Sequence, residues 1–133
     1  MKSIAQKVTK QRTLQGVDAI EYTVDAAGRT LGRVASDAAS ALLGKKSAQY
    51  VQNFVLPVTV TITNASKLSM SERRIKGKDY VHYTGYPGGL RTTSLAQLRD
   101  KKGIEEVLRK AVDGMIPRNK LRKDRMKRLV ITL

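Results

Sequence analysis

The sequence predicts a single α/β domain, a layered structure with a small, mostly parallel sheet and helices on both faces. Three observations predict it. Between residues 21 and 63 a strand-like segment, a helix-period segment and a second strand-like segment follow one another. That order makes a βαβ unit, hence a parallel pair joined by a right-handed crossover. A second and clearer stripe of helical period lies between residues 104 and 115. Finally, 133 residues with 41% hydrophobic content can bury one core, and no linker is long enough to divide the chain into separate domains.

Residues 21–25, EYTVD, carry β-branched and aromatic side chains ahead of Ala26, Ala27 and Gly28, and read as a strand entering a turn. From Arg29 the period changes. Leu31, Val34, Ala35, Ala38 and Leu42 recur on one face of a helix that Gly44 can end. Residues 58–63, VTVTIT, are a run of β-branched and threonine positions and predict the second strand. Residues 80–83, YVHY, predict a third, before a glycine-rich loop at 84–89. A short helix is expected over 94–100. Ile104, Val107, Leu108, Ala111, Val112 and Met115 then form the clearest apolar stripe, with Glu105 and Glu106 at the dipole-favoured start and Pro117 at the stop. The basic stretch 119–128 reads as helical, and residues 129–133, LVITL, as a closing strand.

Charge narrows the function. There are 26 Lys+Arg against 11 Asp+Glu, a formal net charge of +15. From residue 117 onward Arg118, Lys120, Arg122, Lys123, Arg125, Lys127 and Arg128 stand against the single acid Asp124. A solvated helix face mixes signs so that acids relieve the bases; this one does not. Such a domain repels itself alone and fits a polyanion that supplies the counter-charge. A membrane-surface helix needs a broad apolar face, and Leu121, Met126 and Leu129 supply only a thin one. No apolar run approaches bilayer length. Residues 1–16 hold Lys2, Lys7, Lys10 and Arg12 and no acid, so residues 1–20 read as a basic arm ahead of a body at 21–133. An organellar transit peptide is the lesser alternative, and no secretory h-region follows Lys2. The absence of cysteine removes disulfides, thiolate sites and cysteine nucleophiles, and suits a reducing cytosol.

Catalysis gets little support. His82 is the one histidine, with no carboxylate in a catalytic pattern nearby, and no G-x-S-x-G or metal-ligand spacing is present. His82 reads as structural or as an RNA contact beside Tyr83. Gly28 and Gly32 do not fit the dinucleotide fingerprint, and residues 44–47, GKKS, lack a P-loop's upstream glycine. Residues 84–91, TGYPGGLR, are more specific. Their glycines permit unusual dihedrals and close approach, Tyr86 offers a stacking face, and Arg91 a phosphate fork. A loop that merely connects two elements is the alternative. Upstream, Arg73, Arg74, Lys76 and Lys78 are expected on a phosphate-contacting loop, with Gly77 breaking any helix.

These residues together resemble a known family. Asp25-Ala26 with Gly28 to Ala35, Asn64-Ala65 at the end of the second strand, residues 82–90 (HYTGYPGGL), and Ala111-Val112 followed by Gly114 to Leu121 occur in order and spacing. They closely resemble the ribosomal protein thirteen family of the large subunit, in its bacterial form, from about Tyr22 onward. The resemblance implies a three-layer α/β/α fold around a four-stranded parallel sheet, direct binding of large-subunit rRNA, a role in early subunit assembly, and no catalytic activity. It implies rRNA contacts from Lys45 and Lys46, from His82, Tyr83, Thr84, Gly85, Tyr86, Gly88, Gly89 and Arg91, and from residues 118–128. The chain departs from the pattern at Lys45-Lys46, where Lys-His is usual, and at residues 53–58, where a Thr-Gly-Asp segment is usual. Threonines stand at 59, 61 and 63 where more apolar residues are usual, and a glycine common near Arg122 is missing.

The expectation is therefore a structural rRNA-binding protein of the large subunit, cytoplasmic, with neighbouring ribosomal proteins as partners and with no cofactor, metal, membrane or small-molecule substrate. Recognition is expected to rest on RNA shape and backbone. A regulator of messenger or other RNA outside the ribosome would use the same charges. A small nucleotide-using enzyme would need a phosphate loop and catalytic groups that are not found.

Overall fold

A computed structural model describes residues 19–133, so all but the end of the expected N-terminal arm lies outside the described residues. The elements run β1 (Ile20–Asp25), α1 (Leu31–Leu42), β2 (Val58–Thr63), a 3-10 turn (Ala65–Lys67), α2 (Glu72–Gly77), β3 (Asp79–Tyr83), β4 (Leu90–Ser94), α3 (Leu95–Met115), α4 (Arg122–Met126) and β5 (Leu129–Ile131). The mixed α/β class and the parallel βαβ unit are as expected. β2 lies between β1 and β5, parallel to both, with Ile20 opposite Val58 and Val60 opposite Leu129.

The alternation of β2 sets the layers. Successive strand residues point to opposite faces, so Val58, Val60 and Ile62 are buried on one side while Thr59, Thr61 and Thr63 stay half-buried on the other. The apolar stripe of α1 covers the valine side: Leu31, Val34, Ala35, Ala38, Ala39, Ala41 and Leu42 are all buried. Its alanines let the helix lie close to the sheet. At its end Gly44 takes φ 82°, its N–H donates to Ala41 O and the Lys45 N–H to Ser40 O, which satisfies two terminal carbonyls. A Cβ on Gly44 would sit 2.5 Å from Leu56 Cδ1, so the same glycine admits the loop that follows.

Three differences from expectation have physical reasons. Among the described residues the parallel sheet has three strands, and residues 79–94 form a separate antiparallel hairpin. A short glycine loop can only turn a chain back on itself, whereas a parallel pairing needs a crossover of about a dozen residues or more. Of the two helical layers expected, the described residues show the one on the valine side; on the other face Glu21, Thr23 and Asp25 are exposed beside the threonines. The sheet steps in one direction, β1 to β2 to β5, and crossovers of one hand then leave their helices on one side. Accordingly α1 and α3 contribute to the same core.

The helices of residues 94–100 and 104–115 run end to end as α3, interrupted at Gly103 (φ 82°, ψ 172°). Ser94 and Gln97 form a reciprocal capping box at its start. Leu95, Leu98, Val107, Leu108 and Val112 are buried, whereas Met115 is exposed. The basic stretch is helical only from Arg122, because Asn119 turns the chain, its Oδ1 accepting from the Leu121 N–H at 3.1 Å. The closing strand is likewise shorter than residues 129–133.

Candidate nucleic-acid interface

The hairpin projects from the body. Tyr80, near its base, is partly buried against the core, with Lys78 Nζ 5.6 Å and Lys110 Nζ 4.9 Å from its ring centroid. The Leu95 N–H donates to Lys78 O at 2.9 Å and fixes the hairpin to α3. Farther out, His82 pairs across the strands with Arg91, and Tyr83 with Leu90; all four side chains are exposed. Between them the Thr84 N–H donates to Gly89 O and the Gly89 N–H to Tyr86 O. Gly88 has φ 73°, and a Cβ on Gly89 would fall 2.0 Å from Thr84 Oγ1 and 2.8 Å from Tyr86 O. This turn therefore requires its glycines, and it holds Gly85 and the Tyr86 ring at the exposed tip.

Arg73, Arg74 and Lys76 lie on α2, with Lys78 directly after it, and all four are exposed. The expected loop is a helix: Gly77 is its last residue, since Ile75 packs on the core and Glu72 pairs with Lys76 at 3.6 Å. The Ser69 N–H donates to Arg29 O, and Arg74 Nη1 lies 3.9 Å from where a Cβ on Gly32 would sit. This places α2 beside the start of α1, whose first turn has no acid and where Arg33 is exposed. Arg29 is paired with Asp37 at 2.5 Å, and that bond holds the Asp37 carboxyl below the usual carboxylate range. Arg33 and Lys110 belong with this patch and were missed by the sequence reading. The signal for Arg33 was a helix start without an acid, and for Lys110 a position at the edge of the buried stripe, three residues after Val107 and two before Val112.

The C-terminal cations divide. Arg118, Lys120, Lys123 and Lys127 are exposed, Lys127 sharing Asp124 at 3.7 Å. Arg122 is partly buried and chelates both carboxylate oxygens of Asp113 on α3. Arg125 is 3% exposed, its Nη2 donating to Phe54 O at 3.4 Å, and Arg128 is half-buried, its Nη1 donating to Leu56 O at 2.9 Å. Burial pushes both guanidinium pKa values down, opposed by Tyr50 at Arg125 and by Asp124 at Arg128. Arg125, expected among the rRNA contacts, is therefore buried in this fold rather than presented on its surface. It lies between Leu121 and Leu129 at helical spacing, on the inward side, where it fastens the loop before β2.

Leu56 lies against Gly44 and accepts from Arg128, and Phe54 accepts from Arg125, so the loop before β2 meets both the turn that carries Lys45 and Lys46 and the α4 region. Both lysines are exposed, with Lys46 Nζ 5.7 Å from the Tyr22 ring centroid. The expected contacts thus form two cationic groups, the outward residues of 118–127 and the cluster of α2, the hairpin and the start of α1; Lys46 reaches toward the second, since with Arg29 and Arg33 it helps lower the Asp37 pKa. Among the described residues no group of three potential metal ligands is present, and no helix is long and apolar enough to cross a membrane.

This geometry agrees with the comparisons. The family model described as Ribosomal protein L13 matches residues 20–131. A Large ribosomal subunit protein uL13 of Geobacter sulfurreducens is 38% identical over 125 residues, covering 94% of this chain and 87% of that protein. Proteins of the same name from Rubrobacter xylanophilus and Clostridioides difficile are 41% and 43% identical, over 83% and 81% of this chain and 76% and 75% of their own. The family match spans the parallel sheet, the hairpin and the basic helix alike, and the chain belongs to the ribosomal protein L13 family.

Proposed function

We propose that this chain is a structural constituent of the large ribosomal subunit in the cytoplasm, that it binds large-subunit rRNA directly, and that it supports early assembly beside neighbouring proteins of the subunit. The relatives' names support the location. The observation that carries the RNA reading is the division of the C-terminal cations: Lys123 and Lys127 face outward while Arg125 is buried under them. A folded body that fixes rows of exposed Lys and Arg can match the spacing of phosphates along a folded RNA, by charge and shape rather than by base code.

The test is binding of the purified chain to protein-free bacterial large-subunit rRNA across a salt series. Each phosphate neutralised should add about 0.7–0.9 to the slope of log affinity against log salt. A slope of several units is expected, and no measurable binding at low salt would contradict the proposal. The assembly role is tested separately by reconstituting the subunit with and without the chain, with stalled particles expected in its absence.

A further inference from the structure

Four of the large apolar side chains that stand well out of the body are on the hairpin: Val81 at 63% exposure, Tyr83 at 59%, Leu90 at 65% and Tyr86 at 75%. Their arrangement is not scattered. In the antiparallel register Tyr83 faces Leu90 and Val81 faces Thr92, so Val81, Tyr83 and Leu90 share one face of the ribbon. The opposite face carries Tyr80, which packs on the core, and so the Val81–Tyr83–Leu90 face points away from the body. A contiguous apolar surface left open on a small basic domain marks an interaction site. Pure phosphate contact makes no use of it.

Resting on the RNA reading above, we infer that this outward face is a platform for unpaired nucleotides, whose bases lie on Tyr83 and Leu90 while their phosphates meet the neighbouring cations. Charge favours that occupant. Asp79 at the base is the one acid on the ribbon. Arg91 lies on the adjoining strand with its side chain on the opposite face beside His82, so a strand laid on Tyr83 and Leu90 meets it around the ribbon's edge, and Arg73, Arg74, Lys76 and Lys78 precede the ribbon. Bases splayed from a single strand offer flat apolar faces to aromatic and aliphatic side chains, which the deep grooves of a duplex do not. The two cationic groups then differ in kind: the C-terminal one meets backbone only, and the hairpin one also meets bases.

The experiment compares binding of a mixed-sequence single strand of about ten nucleotides, the fully paired duplex of the same sequence, and protein-free large-subunit rRNA. The variants are Tyr83→Ala, Leu90→Ser and Tyr83→Phe, with melting curves as the folding control. Tyr83→Ala should lower single-strand affinity roughly tenfold, leave duplex affinity and the salt slope unchanged, and be rescued by Tyr83→Phe. Leu90→Ser should do the same to a smaller degree and keeps the test open if Tyr83→Ala folds poorly. Equal losses on strand and duplex, or no loss while rRNA is still bound, would overturn the platform and leave the RNA reading standing. So would self-association of the native chain that Tyr83→Ala abolishes without changing RNA affinity. Failure of the native chain to bind any of the three RNAs would overturn the RNA reading itself.

Discussion

Asn64 donates from Nδ2 to Asp25 Oδ1 at 2.9 Å, tying the last residue of β1 to the residue that follows β2. The same oxygen accepts from the Ala27 N–H at 3.0 Å. Asn64 itself has φ 56° and ψ 38°, a left-handed conformation that asparagine tolerates better than most residues. The carboxylate thus fixes both strand exits from which the α1 turn and the path to α2 depart, and so positions Arg33 and Arg74.

Asp25 should titrate below its ordinary value of 3.8, because the Ala27 N–H and then the Asn64 amide bind its charged form and outweigh desolvation, with Lys67 and Arg29 adding to them. A depressed carboxylate contributes stability above its unfolded pKa that is lost as pH falls through the folded one. Stability should therefore fall as pH drops below 3.8, and Asp25→Asn should remove this share of the acid dependence. Carboxyl NMR titration checks it; a midpoint at or above 3.8 would contradict the assignment.

Burial pushes the Tyr80 hydroxyl above 10.0, with Arg74 opposing. The raised pKa means that its contribution is intact below 10.0 and lost as pH rises through the folded value. Of the five tyrosines, Tyr80 should give a late step in the alkaline absorbance titration. Tyr80→Leu, which keeps apolar bulk but removes the face met by Lys78 and Lys110, should cost about 0.5–1 kcal/mol in melting experiments. No loss would mean that the two lysines do not hold the hairpin.

Arg125 and Lys123 are near neighbours with opposite roles. Arg125→Glu places an uncompensated charge inside and should destabilise the fold by about 3 kcal/mol or more. Arg125→Met should fold and keep RNA affinity and salt slope within about twofold of the native chain, since no phosphate contact is lost. Lys123→Glu should fold normally, bind RNA more weakly and flatten the slope. A flattened slope for Arg125→Met with an unchanged slope for Lys123→Glu would invert the account.

Replacing Gly88 and Gly89 with valine should impair rRNA docking more than folding. The clash falls on Thr84 and Tyr86 at the hairpin tip, away from the buried core. Melting curves beside binding curves separate the two, and an equal loss of both would make the turn a structural element only.

Much of this was legible in the sequence because local pattern and global packing agree. Val58, Val60 and Ile62 alternate with threonines, and the alternation alone states which side is buried. The stripe from Leu31 to Leu42 is continuous and ends at a glycine that caps it. What stayed hidden depends on partners distant in sequence. The hairpin's independence follows from the pairing of Tyr80 with Thr93 rather than from either segment alone. Charge density spoke for Arg125 as a surface residue, and only its carbonyl partner at Phe54 shows otherwise. The helix of Arg73, Arg74 and Lys76 was obscured by Gly77, which a helix tolerates at its last position.

The central claim is that the chain is an integral component of the large subunit, held there by its exposed cations. Sedimenting a native lysate through a sucrose gradient, with and without a high-salt wash, and blotting for the chain tests it most directly. The account predicts that the chain travels with the large subunit and survives moderate salt. Finding it at the top of the gradient, or stripped at once by salt, would contradict that claim and transfer its charge to a looser RNA partner outside the ribosome.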